Sequence, residues 1–150
     1  MQIKIGISDK IAGKIYKLLT TTEKDGSFEN KAEGLSFLEE TYSLDKIKLW
    51  ENDYVVSYWE DETLSAFGRA KKDGWITHIY VTSEHQKQGL GSKILSALEE
   101  KLKKDGHKEI FLNTEPKALF FYKRHGWVEK TANPINYHGI LLIPMVKSKF

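Results

Sequence analysis

Val81-Thr82-Ser83-Glu84-His85-Gln86-Lys87-Gln88-Gly89-Leu90-Gly91-Ser92-Lys93-Ile94-Leu95 decides how the rest of the chain is read. Before it, Trp75 to Val81 is dense in β-branched and aromatic residues and reads as a strand. After a polar loop, Gly89 and Gly91 open a run in which Leu90, Ile94, Leu95, Leu98 and Leu102 recur at helical spacing as far as Lys104, and Asp105-Gly106 stops it. At such a junction the unpaired N–H groups of the first helical turn and the positive end of the helix dipole converge. Glycine lets the backbone approach an oxyanion and adopt positive φ, while Lys87, Ser92 and Lys93 add a hydroxyl and two cations, so the turn suits a phosphate. It is neither a Walker A loop, lacking the Gly-Lys-Ser/Thr ending, nor a dinucleotide fingerprint, lacking the third glycine. Taken alone, the two glycines are equally well explained by the need to turn the chain.

Working outward, three strand-like runs precede the turn: Tyr54 to Trp59, Leu64 to Ala70, and Trp75 to Val81. They are separated by Glu60-Asp61-Glu62-Thr63 and Lys71-Lys72-Asp73-Gly74, which predicts an antiparallel meander. Further upstream, Gln2 to Ile7 alternates as a strand does, and Ile11, Ile15, Leu18 and Leu19 mark a helix capped by Asp9. Ala32, Leu35, Phe37, Leu38 and Tyr42 form the face of a second helix, and Ser43 to Asp53 is ambiguous. Downstream come a strand at Glu109 to Asn113, a helix around Ala118 to Arg124, a short strand at Trp127 to Lys130, a polar loop with Pro134, and a last strand at Ile140 to Val146. The order βααβββαβαββ, without linker or repeat, predicts one α/β domain over residues 1–150, with a parallel crossover joining Val81 to Glu109.

Composition bounds the answer. The 150 residues are 40% apolar and 12% aromatic with a formal charge of +2, which fits a folded domain and excludes dominant disorder. With no cysteine, a disulfide scaffold, a thiol nucleophile and thiolate metal ligation are excluded, and a reducing compartment is compatible. No stretch has the apolar length of a secretory signal or a membrane span, so a soluble cytoplasmic protein is expected, without a membrane partner. The small net charge argues against nucleic acid, and Lys101, Lys103 and Lys104 read as a solvated helix face. The five histidines at 78, 85, 107, 125 and 138 show no ligand spacing, so no metal is expected.

The turn resembles the Gln/Arg-x-x-Gly-x-Gly/Ala signature of the GNAT superfamily of acetyltransferases, met here by Gln86, Gly89 and Gly91 after the strand end Tyr80-Val81. About thirty residues on, Ala118-Leu119-Phe120-Phe121-Tyr122-Lys123-Arg124-His125-Gly126-Trp127 is similar to the family's Ala-x-x-Phe-Tyr-x-x-x-Gly-Phe segment, with Trp127 in place of Phe. The element order matches as well, most strongly from Val55 to Met145. The resemblance implies a GNAT-like acyl-CoA acyltransferase fold of the α/β class, with a mixed central sheet of about seven strands and flanking helices. It further implies acetyl-CoA as cosubstrate. Gln86, Lys87, Gln88, Gly89, Leu90, Gly91 and Ser92 would hold the pyrophosphate, and backbone groups of Ile79, Tyr80 and Val81 would hold the acetyl carbonyl and pantetheine. Where the family often has Asn, this chain has Glu115, leaving Asn113 as the nearest asparagine for the pantetheine contact.

The implied activity is N-acetyl transfer to an amine of a small molecule or peptide by direct attack in a ternary complex. Attack needs a neutral amine, and an alkylamine has a pKa of about 10.4, so a base or a water chain must remove its proton. The departing thiolate needs an acid. By resemblance that is Tyr122, whose phenol, of reference pKa about 10, is protonated at neutral pH; packing with Phe120 and Phe121 explains the same residue without chemistry. Many family members carry a glutamate on the strand occupied here by Trp75 to Val81, which has no carboxylate. His78 is a candidate base in pKa range, although alternation puts it on the face opposite Thr77, Ile79 and Val81 and a structural histidine explains it too. Thr77, Glu115 and His138 are further candidates, and His125 is expected to cap the helix before Gly126. Acceptor selection falls to Phe28, Glu29, Glu33, Trp59, Glu60, Asp61, Glu62, Tyr137 and His138, where aromatics and carboxylates would suit a cationic amine, although Glu60-Asp61-Glu62 reads first as a solvated acidic turn. A homodimer is admitted. The competing class is a non-catalytic acyl-CoA-binding or sensing module.

Overall fold

The first two meander strands, Tyr54–Glu60 and Thr63–Ala70, are buried on both faces, which explains their nearly continuous apolar sequence. In the computed structural model, which describes residues 1–22, 43–130, 133–137 and 139–148, β1 (Gln2–Ile5), β2 (Tyr54–Glu60), β3 (Thr63–Ala70) and β4 (Ile76–Val81) form an antiparallel sheet in the order β1-β2-β3-β4. Val56, Ala66, Ala70 and Ile76 point to one core, where helix α3 (Leu90–Lys104) lays Leu90, Ile94, Leu95, Leu98 and Leu102 on them. Val55, Trp59, Leu64 and Phe67 point to the other core, with α1 (Asp9–Thr22) supplying Ile11, Ala12, Ile15 and Leu19. The short helix α2 (Leu44–Lys48) and the turn after it add Ile47 and Trp50, which settles the ambiguous stretch.

The second sheet contains β5 (Ile110–Thr114), β6 (Val128–Glu129), β7 (Ile135–Tyr137) and β8 (Ile140–Lys147); β5 lies along β8, and β6 and β7 each pair with β8. Helix α4 (Leu119–Arg124) follows β5. The chain is therefore α/β, with eight strands among the described residues. The expected parallel crossover is reduced to one bridge: Trp75 meets Phe111 in parallel, with the Phe111 N–H donating to Gly74 O at 2.9 Å. Beyond it β4 and β5 part, so a mixed central sheet becomes two antiparallel sheets hinged at that point.

Other expectations need correcting. The helix cap is Ser8, whose Oγ accepts from the Ile11 N–H at 3.2 Å, while Asp9 lies in the first turn. The first strand stops at Ile5 because Gly6 turns the chain with φ +95°. Ile135 to Tyr137, taken as loop, is a strand, because pairing with Leu142 to Ile140 overrides its short polar sequence. The proposed helix over Ala32 to Tyr42 lies outside the described residues.

Gly68 sets how closely α3 approaches the sheet. A Cβ built there would lie 2.2 Å from Ile94 Cγ2 and 3.0 Å from Leu98 Cδ1, so the helix sits where only a bare backbone leaves room. Near its other end, α3 presents buried Glu99, whose carboxylate accepts from Lys147 Nζ at 2.9 Å and Trp127 Nε1 at 3.1 Å. Gly68→Val should destabilise the protein by about 2 kcal/mol through overpacking, a loss of roughly 4–8 °C in Tm. Thermal melting checks this, and an unchanged Tm would show that α3 has slack above β3.

Candidate functional site

The glycine turn is built by locks on either side of it. The ladder of β3 and β4 ends where the Thr82 N–H donates to Ser65 O at 3.0 Å. His85 is then buried, with Nε2 2.8 Å from Glu60 Oε2, Nδ1 2.8 Å from Thr82 Oγ1, and its N–H donating to Thr82 O. A carboxylate only accepts, so Nε2 carries a proton; with the ring neutral, Nδ1 accepts from the Thr82 hydroxyl. Gln86 Nε2 donates back to Val81 O at 3.4 Å. Lys87 and Gly89 take positive φ, +65° and +79°, and Gly89 is the left-handed residue that starts α3. No side chain caps that end, so the first-turn N–H groups of Leu90, Gly91 and Ser92 remain to be met from outside. Gly89 has nothing within 4 Å of a built Cβ, whereas one on Gly91 would touch Phe121 Cζ at 3.4 Å and Val81 Cγ2 at 3.8 Å.

The open side of β4 runs into this turn. Because Thr82 bonds to Ser65, the alternation of an antiparallel ladder directs the backbone groups of Tyr80 and His78 to Phe67 and Arg69 on β3. Those of Ile79 and Val81 point the other way, into the opening between β4 and β5. Ile79 and Val81 therefore stand where a polar chain could add along the strand, while Tyr80, expected to share that role, turns its backbone to β3 and stacks its ring on Phe67 at 6.1 Å. A bulge at Thr77, where Arg69 pairs with His78 and Ala70 with Ile76, bends β4 just before the opening.

Helix α4 closes the turn from the β5 side. Phe121 lies against Gly91 and Val81, and its ring meets those of Tyr122 at 5.0 Å and His125 at 4.7 Å. Tyr122 also packs edge-on to Trp127 at 6.2 Å. Burial, and secondly the charge of Glu115, push the Tyr122 phenol well above its ordinary range, so it stays protonated. Glu115, itself paired to Lys117 at 3.3 Å, is thus close enough for its field to be felt at Tyr122. His125 caps α4 as expected, and its ring reaches across to Ser92. Asn113 is exposed on β5, opposite Pro144 in the ladder. Lys87 and Gln88 are exposed at the turn.

His78 is not placed as a base. Its ring sits on the α1 face against Trp50 at 5.0 Å and Phe67 at 5.9 Å, with Nδ1 2.9 Å from Thr77 Oγ1. Burial, and secondly the Arg69 charge, push its pKa down to about 3, which leaves a weak proton acceptor facing away from the opening. Among the acceptor candidates, Trp59 is wholly buried core, with Nε1 donating to Ser57 Oγ at 2.9 Å. Glu60 is held by His85, and Glu62 pairs with Lys10 on the solvent side of the hairpin. Asp61 forms the hairpin turn with φ +54°, and Tyr137 is exposed on β7. Phe28, Glu29, Glu33 and His138 lie outside the described residues. Among the described residues no three His, Asp or Glu side chains gather as metal ligands, and no helix is long and apolar enough to cross a membrane.

Sequence reasoning missed His85 as the lock of the turn, Phe121 as its wall and His125 as the partner of Ser92. The three-residue spacing of Thr82 and His85 was the available signal for the first; the others are contacts between elements distant in sequence.

An open strand edge running into an uncapped helix N-terminus, with a half-buried tyrosine on the neighbouring helix, is the arrangement of an acyl-CoA acyltransferase. The sequence matches the Acetyltransferase (GNAT) domain family over residues 29–149, and the chain belongs to that family as an N-acetyltransferase that uses acyl-CoA. It is 32% identical over 99 residues to the Bacillus subtilis uncharacterized N-acetyltransferase YjcF, covering 65% of this chain and 71% of that one. By structure it is similar to a GCN5-related N-acetyltransferase of Rhodopseudomonas palustris, with TM-score 0.80, 14% identity and 99% and 95% of the two chains covered. It is similar also to the PaiA N-acetyltransferase of Thermoplasma acidophilum in complex with coenzyme A, with TM-score 0.77, 18% identity and 99% and 100% covered.

The glycines make separable predictions. Gly89→Ala forces a side chain into a left-handed backbone at a cost of about 1–2 kcal/mol and puts a methyl where only an incoming anion would meet it. Calorimetry should show acetyl-CoA affinity falling by more than the roughly ten-fold that 1.4 kcal/mol represents, with a small drop in Tm. Gly91→Val, pressing on Phe121, should lower both together. Unchanged affinity in Gly89→Ala would remove the turn from cofactor binding.

Proposed function

We propose that this chain, acting over residues 1–150 as one catalytic domain, transfers the acetyl group of acetyl-CoA to an amine of a small molecule or peptide by direct attack in a ternary complex. The observation that carries this is the edge of β4: Ile79 and Val81 face the opening, and the same strand runs on into the uncapped start of α3. A ligand that joins an amide-bearing arm to a pyrophosphate fits that path, pairing with the strand and ending on the N–H groups of Leu90, Gly91 and Ser92. Bound acetyl-CoA supplies the activated thioester. An N–H of β4 donating to its carbonyl oxygen would stabilise charge that develops there.

Tyr122 serves as the donor to the departing sulfur. Its raised pKa makes it a weak acid, so it holds its proton and offers a hydrogen bond to the thiolate more readily than it gives the proton up. The proton that ends on sulfur then comes from the attacking nitrogen or from solvent. With His78 neutral and turned away, the amine reaches its neutral form through water, and Glu115, whose charge acts on Tyr122, is the carboxylate assigned to order it.

The test is turnover of acetyl-CoA against primary amines, amino sugars, polyamines and peptide N-termini, with CoA release as readout. On a positive acceptor, Tyr122→Phe should keep acetyl-CoA affinity within a few-fold and lower single-turnover kcat by about 10²-fold. The wild-type rate should climb with pH as the amine loses its proton, and should show no fall from tyrosine ionisation below about pH 10, because the raised pKa keeps the donor protonated there. A full-rate Tyr122→Phe variant would remove the tyrosine from the mechanism, and acetyl-CoA binding with no turnover of any amine class would overturn the acceptor assignment.

A further inference from the structure

With His125 neutral, the first turn of α3 contains a hydroxyl that points its proton the wrong way for an anion. Ser92 Oγ lies 2.9 Å from His125 Nε2, and His125 Nδ1 lies 2.7 Å from Phe121 O. A carbonyl oxygen only accepts, so Nδ1 carries a proton. In the neutral ring Nε2 is then a bare acceptor, and the single proton of Ser92 must go to it. What Ser92 presents outward is an oxygen lone pair, beside the N–H groups of Leu90, Gly91 and its own backbone that would receive a phosphate. A phosphate oxygen arriving there would be repelled by that lone pair. A second proton on His125 reverses the contact: Nε2–H donates to Ser92 Oγ, and the serine proton is released to the phosphate.

We infer that His125 is a positioning residue for the cofactor, taking up a proton as the pyrophosphate of CoA binds and turning the Ser92 hydroxyl from acceptor to donor. This rests on the reading that the α3 turn holds that pyrophosphate. The proton comes from solvent and forms an N–H bond at Nε2, no other covalent bond changes, and it returns to solvent when CoA leaves. The other charged groups near the ring are either paired or exposed to solvent. Lys147 approaches from β8 with Nζ 2.7 Å from the His125 carbonyl and is neutralised by Glu99 at 2.9 Å. On α4 itself, Lys123 pairs with Glu129 at 3.0 Å, Arg124 is exposed, and the Phe121 ring against the imidazole carries no charge. On α3, Lys93 is exposed next to Ser92. The charge that differs between the two states is the phosphate, which favours the imidazolium; by linkage, CoA binding tightens as pH falls through the range where His125 gains its proton.

The experiment is calorimetric titration of acetyl-CoA at neutral pH in two buffers of different ionisation enthalpy, which counts protons taken up per ligand bound. Wild type should take up a proton fraction that His125→Gln loses. A glutamine amide can donate to Ser92 but cannot titrate, so the variant's binding should become less dependent on pH. Protonation of the ligand's own phosphates contributes to both proteins and cancels in the difference. In parallel, the ¹⁵N resonance of His125 Nε2 in wild type should move on CoA addition from the bare-acceptor range to the N–H range, a readout that does not depend on the variant folding. Equal proton uptake by the two proteins, or an Nε2 signal unmoved by saturating CoA, would overturn the inference while leaving CoA binding intact. Wild type that binds no acetyl-CoA at all would instead overturn the cofactor reading on which it rests.

Discussion

Helix α3 lies on β3 at a distance that only Gly68 permits, with Ile94 and Leu98 occupying the space a side chain would need. Ile94 is one turn from the start of the helix, so this contact fixes where the first-turn N–H groups sit relative to the edge of β4. Any residue larger than glycine would have to displace the Ile94 side chain or the helix that carries it. The buried Glu99, gripped by Lys147 and Trp127, ties the far half of α3 to β8 and to the residue following Gly126. Lys147 donates also to the carbonyl of His125, so the same ion pair sets the end of α4, the helix that carries Tyr122. Removing one partner of such a buried pair costs more than the pair itself contributes, because a charge is left without its counterion.

The second constraint is the single parallel bridge between Trp75 and Phe111. Had β4 and β5 stayed paired, their backbone groups would satisfy one another and the sheet would be closed. Because pairing stops after one bridge, Ile79 and Val81 keep hydrogen-bonding capacity directed into a gap, a state that is costly in a protein unless water or a ligand meets it. The bulge at Thr77 contributes by bending β4 away. Binding capacity and strand geometry are thus one feature.

Much of this was legible in the sequence, for identifiable reasons. Helix α3 runs from Leu90 to Lys104 as its apolar spacing indicated, since amphipathic periodicity and an Asp-Gly stop are local signals. The meander and the glycine turn were legible for the same reason. What escaped were features that two distant segments make together. Gly68 reads as a weak spot in a strand until Ile94 is brought over it. Ser92 and His125 are 33 positions apart, and tertiary packing, including that of Phe121 on Gly91, brings them together. His78 looked suited to proton transfer by residue type, but Trp50, from a stretch the sequence left ambiguous, covers its ring and the low pKa follows from that burial. Tyr80 was grouped with its neighbours because ladder phase, which decides which backbone groups face the gap, is set by where Thr82 bonds to Ser65.

The central claim is that one ligand spans the open edge of β4 and the uncapped start of α3. Amide hydrogen exchange, followed residue by residue with and without saturating acetyl-CoA, tests it most directly. The account predicts new protection at Ile79 and Val81 together with Leu90, Gly91 and Ser92, and little change at Tyr80 and His78, whose N–H groups already bond to β3. Protection confined to the α3 turn, or appearing on β4 at Tyr80 and not at its neighbours, would contradict it.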